Sequence, residues 1–174
     1  MRIAFASINI QFLMFLWSTY VLPRMEYASC IWSPYYKKDI DLIENVQRKY
    51  TKFLPGLFDK SYKERRDLLD IKTLEERRIQ LDVILLYKII HNLIDIDFTK
   101  YFSFHDAQTR GHQYKLNLNP VSRINCHKNH FFNRIIKIWN ALSADIVNLT
   151  NLDAFKNKIM SYNVEIYCIG RAFT

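Results

Sequence analysis

Apolar residues recur at the three- and four-residue steps of a helix along most of the chain, and one short stretch alternates instead. Residues 3 to 22 carry no charged side chain, and their apolar positions lie all round a helical wheel. That pattern predicts a buried first helix from about Gln11 to Trp32, kinked or split at Pro23 and ended by Ser33-Pro34. Asp39 is placed to cap a second helix. Ile40, Ile43, Val46, Tyr50 and Phe53 make its apolar face, while Lys38, Asp41, Asn45, Arg48, Lys49 and Lys52 fall largely away from it. Pro55-Gly56 terminates that helix.

Further along, Ser61 to Glu64 reads as a capping box opening a short helix to about Leu69. Thr73 to Glu76 is a second box, opening the longest helix, to about Leu93, with Ile79, Val83, Leu86 and Ile90 on its core side. Phe98 to Phe104 reads as a turn with aromatics tucked onto the core. Tyr114, Leu116 and Leu118 then alternate with polar residues, which predicts a strand, with Val121 to Cys126 returning beside it. A helix over about Asn129 to Leu142 and a last one starting at Thr150-Asn-Leu-Asp153 complete the pattern. The expected fold is mainly α, a helical bundle with a small β hairpin near residues 112–126. It divides into a helical segment over 1–104 and a basic hairpin-plus-helix segment over 105–174 sharing the core.

Composition narrows the function classes. At 174 residues, 49% hydrophobic and with only 3 Gly, the chain has the makings of a packed core and no Gly-rich phosphate loop. Cys30, Cys126 and Cys168 are scattered and odd in number, which argues against a disulfide framework and fits a reducing, intracellular setting, cytoplasmic or nuclear. The apolar start invites a signal-peptide or membrane-span reading, but Ser7, Asn9, Gln11, Ser18 and Thr19 weaken it and a buried helix accounts for it.

Catalytic signatures are sparse. Asp39-x-Asp41 sits at a helix start and Asp95-x-Asp97 in a turn, so neither reads as a two-metal carboxylate centre. Cys126-His127-x-x-His130, with His112 nearby, offers zinc-type ligands but lacks paired spacing. No catalytic residue, metal or cofactor is assigned.

Charge is more informative. The net charge is +8, and no Asp or Glu occurs between Ala107 and Ala144. Arg110, Lys115, Arg123, Lys128, Arg134 and Lys137 fall in that stretch and are the first candidates for phosphate contacts with RNA or DNA. Arg48, Lys49 and Lys52 are second candidates, in a set with Lys60, Lys63, Arg65 and Arg66 that is interleaved with Glu64 and Asp67. Trp32, Tyr35 and Tyr36 are available for stacking, though packing explains aromatics at a helix corner as well.

Ordered blocks carry a resemblance. They are Thr19-Tyr-Val-Leu-Pro-Arg-Met-Glu-Tyr-Ala-Ser-Cys-Ile-Trp-Ser-Pro-Tyr35, Ile43-Glu-Asn-Val-Gln-Arg-Lys-Tyr-Thr-Lys52, Pro55-Gly56, Leu74-Glu-Glu-Arg-Arg78, Leu86-Tyr-Lys-Ile-Ile-His91, Arg110-Gly-His112, Phe131-Phe-Asn-Arg134, Trp139-Asn-Ala-Leu142 and Phe155-Lys156. In this order they resemble the region after the palm of reverse transcriptases from non-LTR retrotransposons of the jockey and chicken-repeat type. The resemblance covers about residues 12 to 160. It implies a thumb-like helical segment and a carboxy-terminal segment that hold nucleic acid beside a catalytic palm, which is itself an implied partner. The Ala-Asp-Asp palm signature does not occur here, so the chain is expected to bind and not to polymerise. The competing readings are a non-enzymatic protein- or membrane-interaction module using the first helix, and a pseudogene product without function.

Overall fold

The computed structural model describes residues 9–105, 112–117 and 129–169. The described residues are mainly helical with no sheet, as the hydrophobic pattern predicts. Two compact units form, residues 1–78 with 168–174, and residues 79–167. The boundary thus falls inside the longest helix, whereas the sequence pattern places it after residue 104.

In the first unit, α1 (Ile10–Leu16) runs into a π-helical turn over Trp17–Val21 and continues as α2 (Leu22–Glu26). Pro23 sits in the first turn of α2. A proline there has no N–H to offer and crowds the carbonyl four residues back, and the wider turn ahead of it gives the ring room. The helix does not stop at Pro23 but at Ala28, whose φ is +52°, before the single turn of α3 (Ser29–Trp32). Leu13 and Trp17 are buried, whereas Phe12, Phe15, Tyr20, Tyr27 and Ile31 are exposed. The segment is therefore not buried all round: uniform apolarity gave no face to choose, and only the side against Leu54, Leu57 and Tyr50 is covered.

Helix α4 spans Lys37–Lys52 with Tyr36 at the cap position and no side-chain cap, so Asp39 lies in its first turn rather than capping it. Its buried stripe is Ile40, Glu44, Gln47 and Thr51. The apolar stripe expected inside is displaced: Val46 and Phe53 face water, and Ile43 and Tyr50 are half-buried. What draws the polar stripe inward is α5 (Tyr62–Leu69), opened by the complete Ser61–Glu64 capping box. The Tyr62 hydroxyl donates to one Glu44 oxygen, and Gln47 Nε2 donates to the Tyr62 hydroxyl at 2.9 Å and to the Lys72 carbonyl at 2.9 Å. The other Glu44 oxygen accepts the Leu74 N–H at 2.9 Å. Leu74 begins α6 (Leu74–Ile90), whose Thr73–Glu76 box is present as expected, with Glu76 also 3.5 Å from Arg66.

The second unit is built on the rest of α6, which ends at Ile90 rather than Leu93, with α7 (Phe131–Ala141), α8 (Ala144–Val147) and α9 (Leu152–Ser161). Val83, Leu86, Tyr87, Ile135, Ile136, Trp139, Phe155 and Ile159 are all buried. Tyr87 stacks on Phe155 at 3.9 Å and donates to the Leu149 carbonyl at 2.6 Å, and the Gln80 amide donates to the Ile159 carbonyl near the end of α9 at 2.8 Å. Asn151, not Thr150, caps α9.

Of the expected hairpin, only residues 112–117 fall among the described residues. Leu116 pairs antiparallel with Phe104 in an isolated bridge, flanked by His105 N–H to Lys115 O and Asn117 N–H to Ser103 O. The Asn140 side chain takes the Leu116 N–H at 2.9 Å and donates to its carbonyl at 2.8 Å. That amide does the work of a second strand, and alternation along one strand cannot reveal which edge partner it has. The return segment Val121 to Cys126 lies outside the described residues. No helix among the described residues is long and apolar enough to cross a membrane.

Two stability outcomes follow. Burial pushes the Glu44 carboxyl above its ordinary range, against the pull of the Tyr62 hydroxyl, the Leu74 N–H, Arg78 and Arg66. The folded state then holds that proton more tightly than the unfolded chain, so this contribution is present below about 4.5 and is lost as pH rises through the folded-state value. Glu44→Gln removes the titration, and urea unfolding should show the wild type gaining on the variant as pH falls from about 7.5 to about 5. Gly56 has φ +73° with open space around its Cβ position, so Gly56→Ala should cost about 1–2 kcal/mol from backbone conformation alone, read as a shift in the unfolding midpoint.

Candidate nucleic-acid interface

Tyr62 is the first residue of α5, and Arg65 and Arg66 follow it at the three- and four-residue steps that share a helix face. Arg48 reaches the same ring from α4. The guanidinium carbons of Arg48, Arg65 and Arg66 lie 5.0, 5.6 and 5.5 Å from the Tyr62 ring centroid. Three cations around one ring are tolerable because the ring face is electron-rich and Glu44 lies at the hydroxyl end. Burial and then the Glu44 carboxylate push the Tyr62 phenol far up, so it stays a neutral donor.

Arg65 is buried, and burial lowers its affinity for its proton. Its Nε donates to Thr51 Oγ1 at 3.1 Å, one Nη to the Arg48 carbonyl at 3.3 Å, and the other to the Lys60 carbonyl. A guanidinium at the carboxyl end of α4 complements the helix dipole there. It also pins the segment carrying Lys60 beside the helix end carrying Lys52, whose Nζ is 5.2 Å over the Phe58 ring. Lys49, Lys52, Lys60 and Lys63 are exposed. Between residues 48 and 67 there are seven bases against three acids, Asp59, Glu64 and Asp67. Glu64 is turned back into its capping box.

The acid-free stretch fares differently. Arg110, Arg123 and Lys128 lie outside the described residues, as do Cys126 and His127. Arg134, a first-choice phosphate contact, is engaged within the protein: Nη2 and Nε lie 2.7 and 2.9 Å from Asp82 Oδ2, and Nη1 donates to the Asn129 carbonyl. Its partner sits on α6, far back in sequence, so counting charges around Arg134 missed it. Lys115 is half-buried, and only Lys137 of the described first-choice set projects into water on α7. His112 is no surface cation either. Its Nε2 meets the Trp139 carbonyl at 3.1 Å, and burial lowers its pKa. His130 stands exposed at the start of α7. Among the described residues no three His, Cys, Asp or Glu side chains gather as metal ligands.

Arg48, Lys49 and Lys52 thus come together with Lys60 and Lys63, while the described first-choice residues do not form one patch. The bracing role of Arg65 was missed. The signal for it, an aromatic residue with bases three and four residues on, is present at Tyr62.

Comparison with protein-family models, curated proteins and solved structures finds no match to this chain.

Removing Arg134 takes its ion-pair partner from Asp82, a carboxylate that is only 4% exposed as a side chain. Arg134→Ala should lower the unfolding free energy by about 3 kcal/mol, and Arg134→Lys should recover part of it, as measured by urea denaturation.

Proposed function

We propose that the chain binds RNA or DNA through the phosphate backbone, with no catalysis of its own, in the manner expected of the post-palm region it resembles. The observation that carries the reading is the set of exposed lysines at the carboxyl end of α4 and the segment leading into α5: Lys49, Lys52, Lys60 and Lys63. Beneath them Arg48, Arg65 and Arg66 hold the two segments together and add charge of the same sign. Flexible, well-hydrated ammonium groups suit a chain of phosphates whose register varies. The +8 net charge supports the same direction, since it raises the local concentration of polyanions. On this reading Lys137 and Lys115 contribute secondary contacts, as do Arg110, Arg123 and Lys128.

A fluorescein-labelled duplex should bind the full chain at about 50 mM salt and weaken steeply toward about 200 mM. Each duplex phosphate contact adds about 0.9 to the slope of log affinity against log salt, so K52E/K60E/K63E should lower that slope by roughly 2 to 3. Its thermal midpoint should stay near that of the wild type, because all three side chains are exposed. Absence of binding at low salt, or an unchanged slope in the triple variant, overturns the reading.

A further inference from the structure

The outward face of α4 carries what a helix ordinarily hides. The inward residues Ile40, Glu44, Gln47 and Thr51 are spaced by four, three and four. Leu42, Val46, Lys49 and Phe53 repeat that spacing two residues on, which is about 200° round the helix. Leu42 is 69%, Val46 41% and Phe53 51% exposed, and Lys49 is exposed with them. Lys38 and Asn45 fall on one side of the same face and the half-buried Asp39 on the other, next to Val46, with Lys52 on the edge beyond Asn45.

We propose that this face docks one α-helix of a partner protein, a helix with apolar residues at three- and four-residue spacing and Asp or Glu along their flanks. From Lys38 to Phe53 the face is about 22 Å long, four turns of a partner helix. Leu42, Val46 and Phe53 are the apolar anchors, and such contiguous exposure on an otherwise packed helix marks an interaction surface. Lys38 and Lys49 lie on the face and Lys52 at its edge, so a partner of opposite charge is selected.

The other occupants fit worse. A phosphate backbone satisfies the lysines but leaves three apolar side chains uncovered. A second copy brings six lysines of one sign into one contact. A membrane surface wants a broad apolar sector, and here the three apolar residues fall within about 40° of the wheel, beside Asn45 and Lys49.

The test uses the full chain and a labelled 18-residue synthetic helix with Leu at three- and four-residue spacing flanked by Glu, beside the same peptide with Lys in place of Glu. The Glu peptide should bind, and the Lys peptide at least tenfold more weakly. Val46→Asp and Leu42→Ser should each weaken the Glu peptide at least tenfold with the helical circular-dichroism signal retained, and K60E/K63E, which leaves every residue of the docking face in place, should keep peptide binding within about threefold while weakening duplex binding. No binding of the Glu peptide, equal binding of the two peptides, or indifference to Val46→Asp overturns the proposal. So does a loss on Val46→Asp of self-association, of duplex binding, or of binding to phosphatidylserine vesicles in place of peptide binding.

Discussion

A carboxylate without water sets the terms for the first unit. Glu44 is fully buried, and a buried charge that lacks partners costs several kcal/mol. Its two oxygens are met by the Tyr62 hydroxyl and the Leu74 N–H, one from each of the next two helices. Gln47, one turn on, ties Tyr62 to the Lys72 carbonyl. Three helices and the loop between α5 and α6 are thus located by a set of groups that can be satisfied only together. The cost of this arrangement appears on the other side of α4. With Glu44, Gln47 and Thr51 turned inward, geometry leaves Leu42, Val46 and Phe53 outward.

That inversion also separates what was legible in the sequence from what was not. The two capping boxes are local chemistry, four residues long, and both are present atom for atom. The core side of α6 was legible in part: Val83, Leu86 and Ile90 are buried and Ile79 is half-buried, but the polar Arg78, Gln80 and Asp82 are buried with them. The apolar and polar stripes of α4 lie on neighbouring and opposite sectors, and choosing the apolar one inward is right when hydrophobic burial decides. Here Tyr62 and Leu74 decide, and they lie 18 and 30 residues from Glu44. The partners of Leu116 were hidden for the same reason: they are Phe104 on one side and the Asn140 side chain, 24 residues away, on the other.

The basic residues teach a related lesson about counting charge. An acid-free run was the strongest electrostatic signal in the sequence, yet Arg134 within it is held by Asp82, 52 residues earlier. Charge patterning reports the supply of cations and not whether each is already engaged. Around Tyr62 the arginines Arg48, Arg65 and Arg66 are set against a ring, carbonyls or a carboxylate, while Lys49, Lys60 and Lys63 are exposed and Lys52 is exposed with its Nζ over the Phe58 ring.

On the proposed reading, the division has a consequence for how the chain would hold a polyanion. A guanidinium recognises a guanine edge or a single phosphate by two parallel hydrogen bonds, and that fork is what sequence-specific contacts draw on. Here the described forks near the basic surface are turned toward protein groups: Arg65 toward carbonyls and a hydroxyl, Arg66 toward Glu76, and all three toward the Tyr62 ring. What remains for a ligand is ammonium, a point charge without directional demand. A surface of that kind holds phosphates by counterion release and discriminates poorly among bases. The same Arg65 that closes the route to specific recognition gives the lysines their common location, because its bonds to the Lys60 and Arg48 carbonyls bring the Lys60 segment to the end of α4. On that reading the arginines around Tyr62 serve the fold, and the exposed lysines beside them are left to face the ligand.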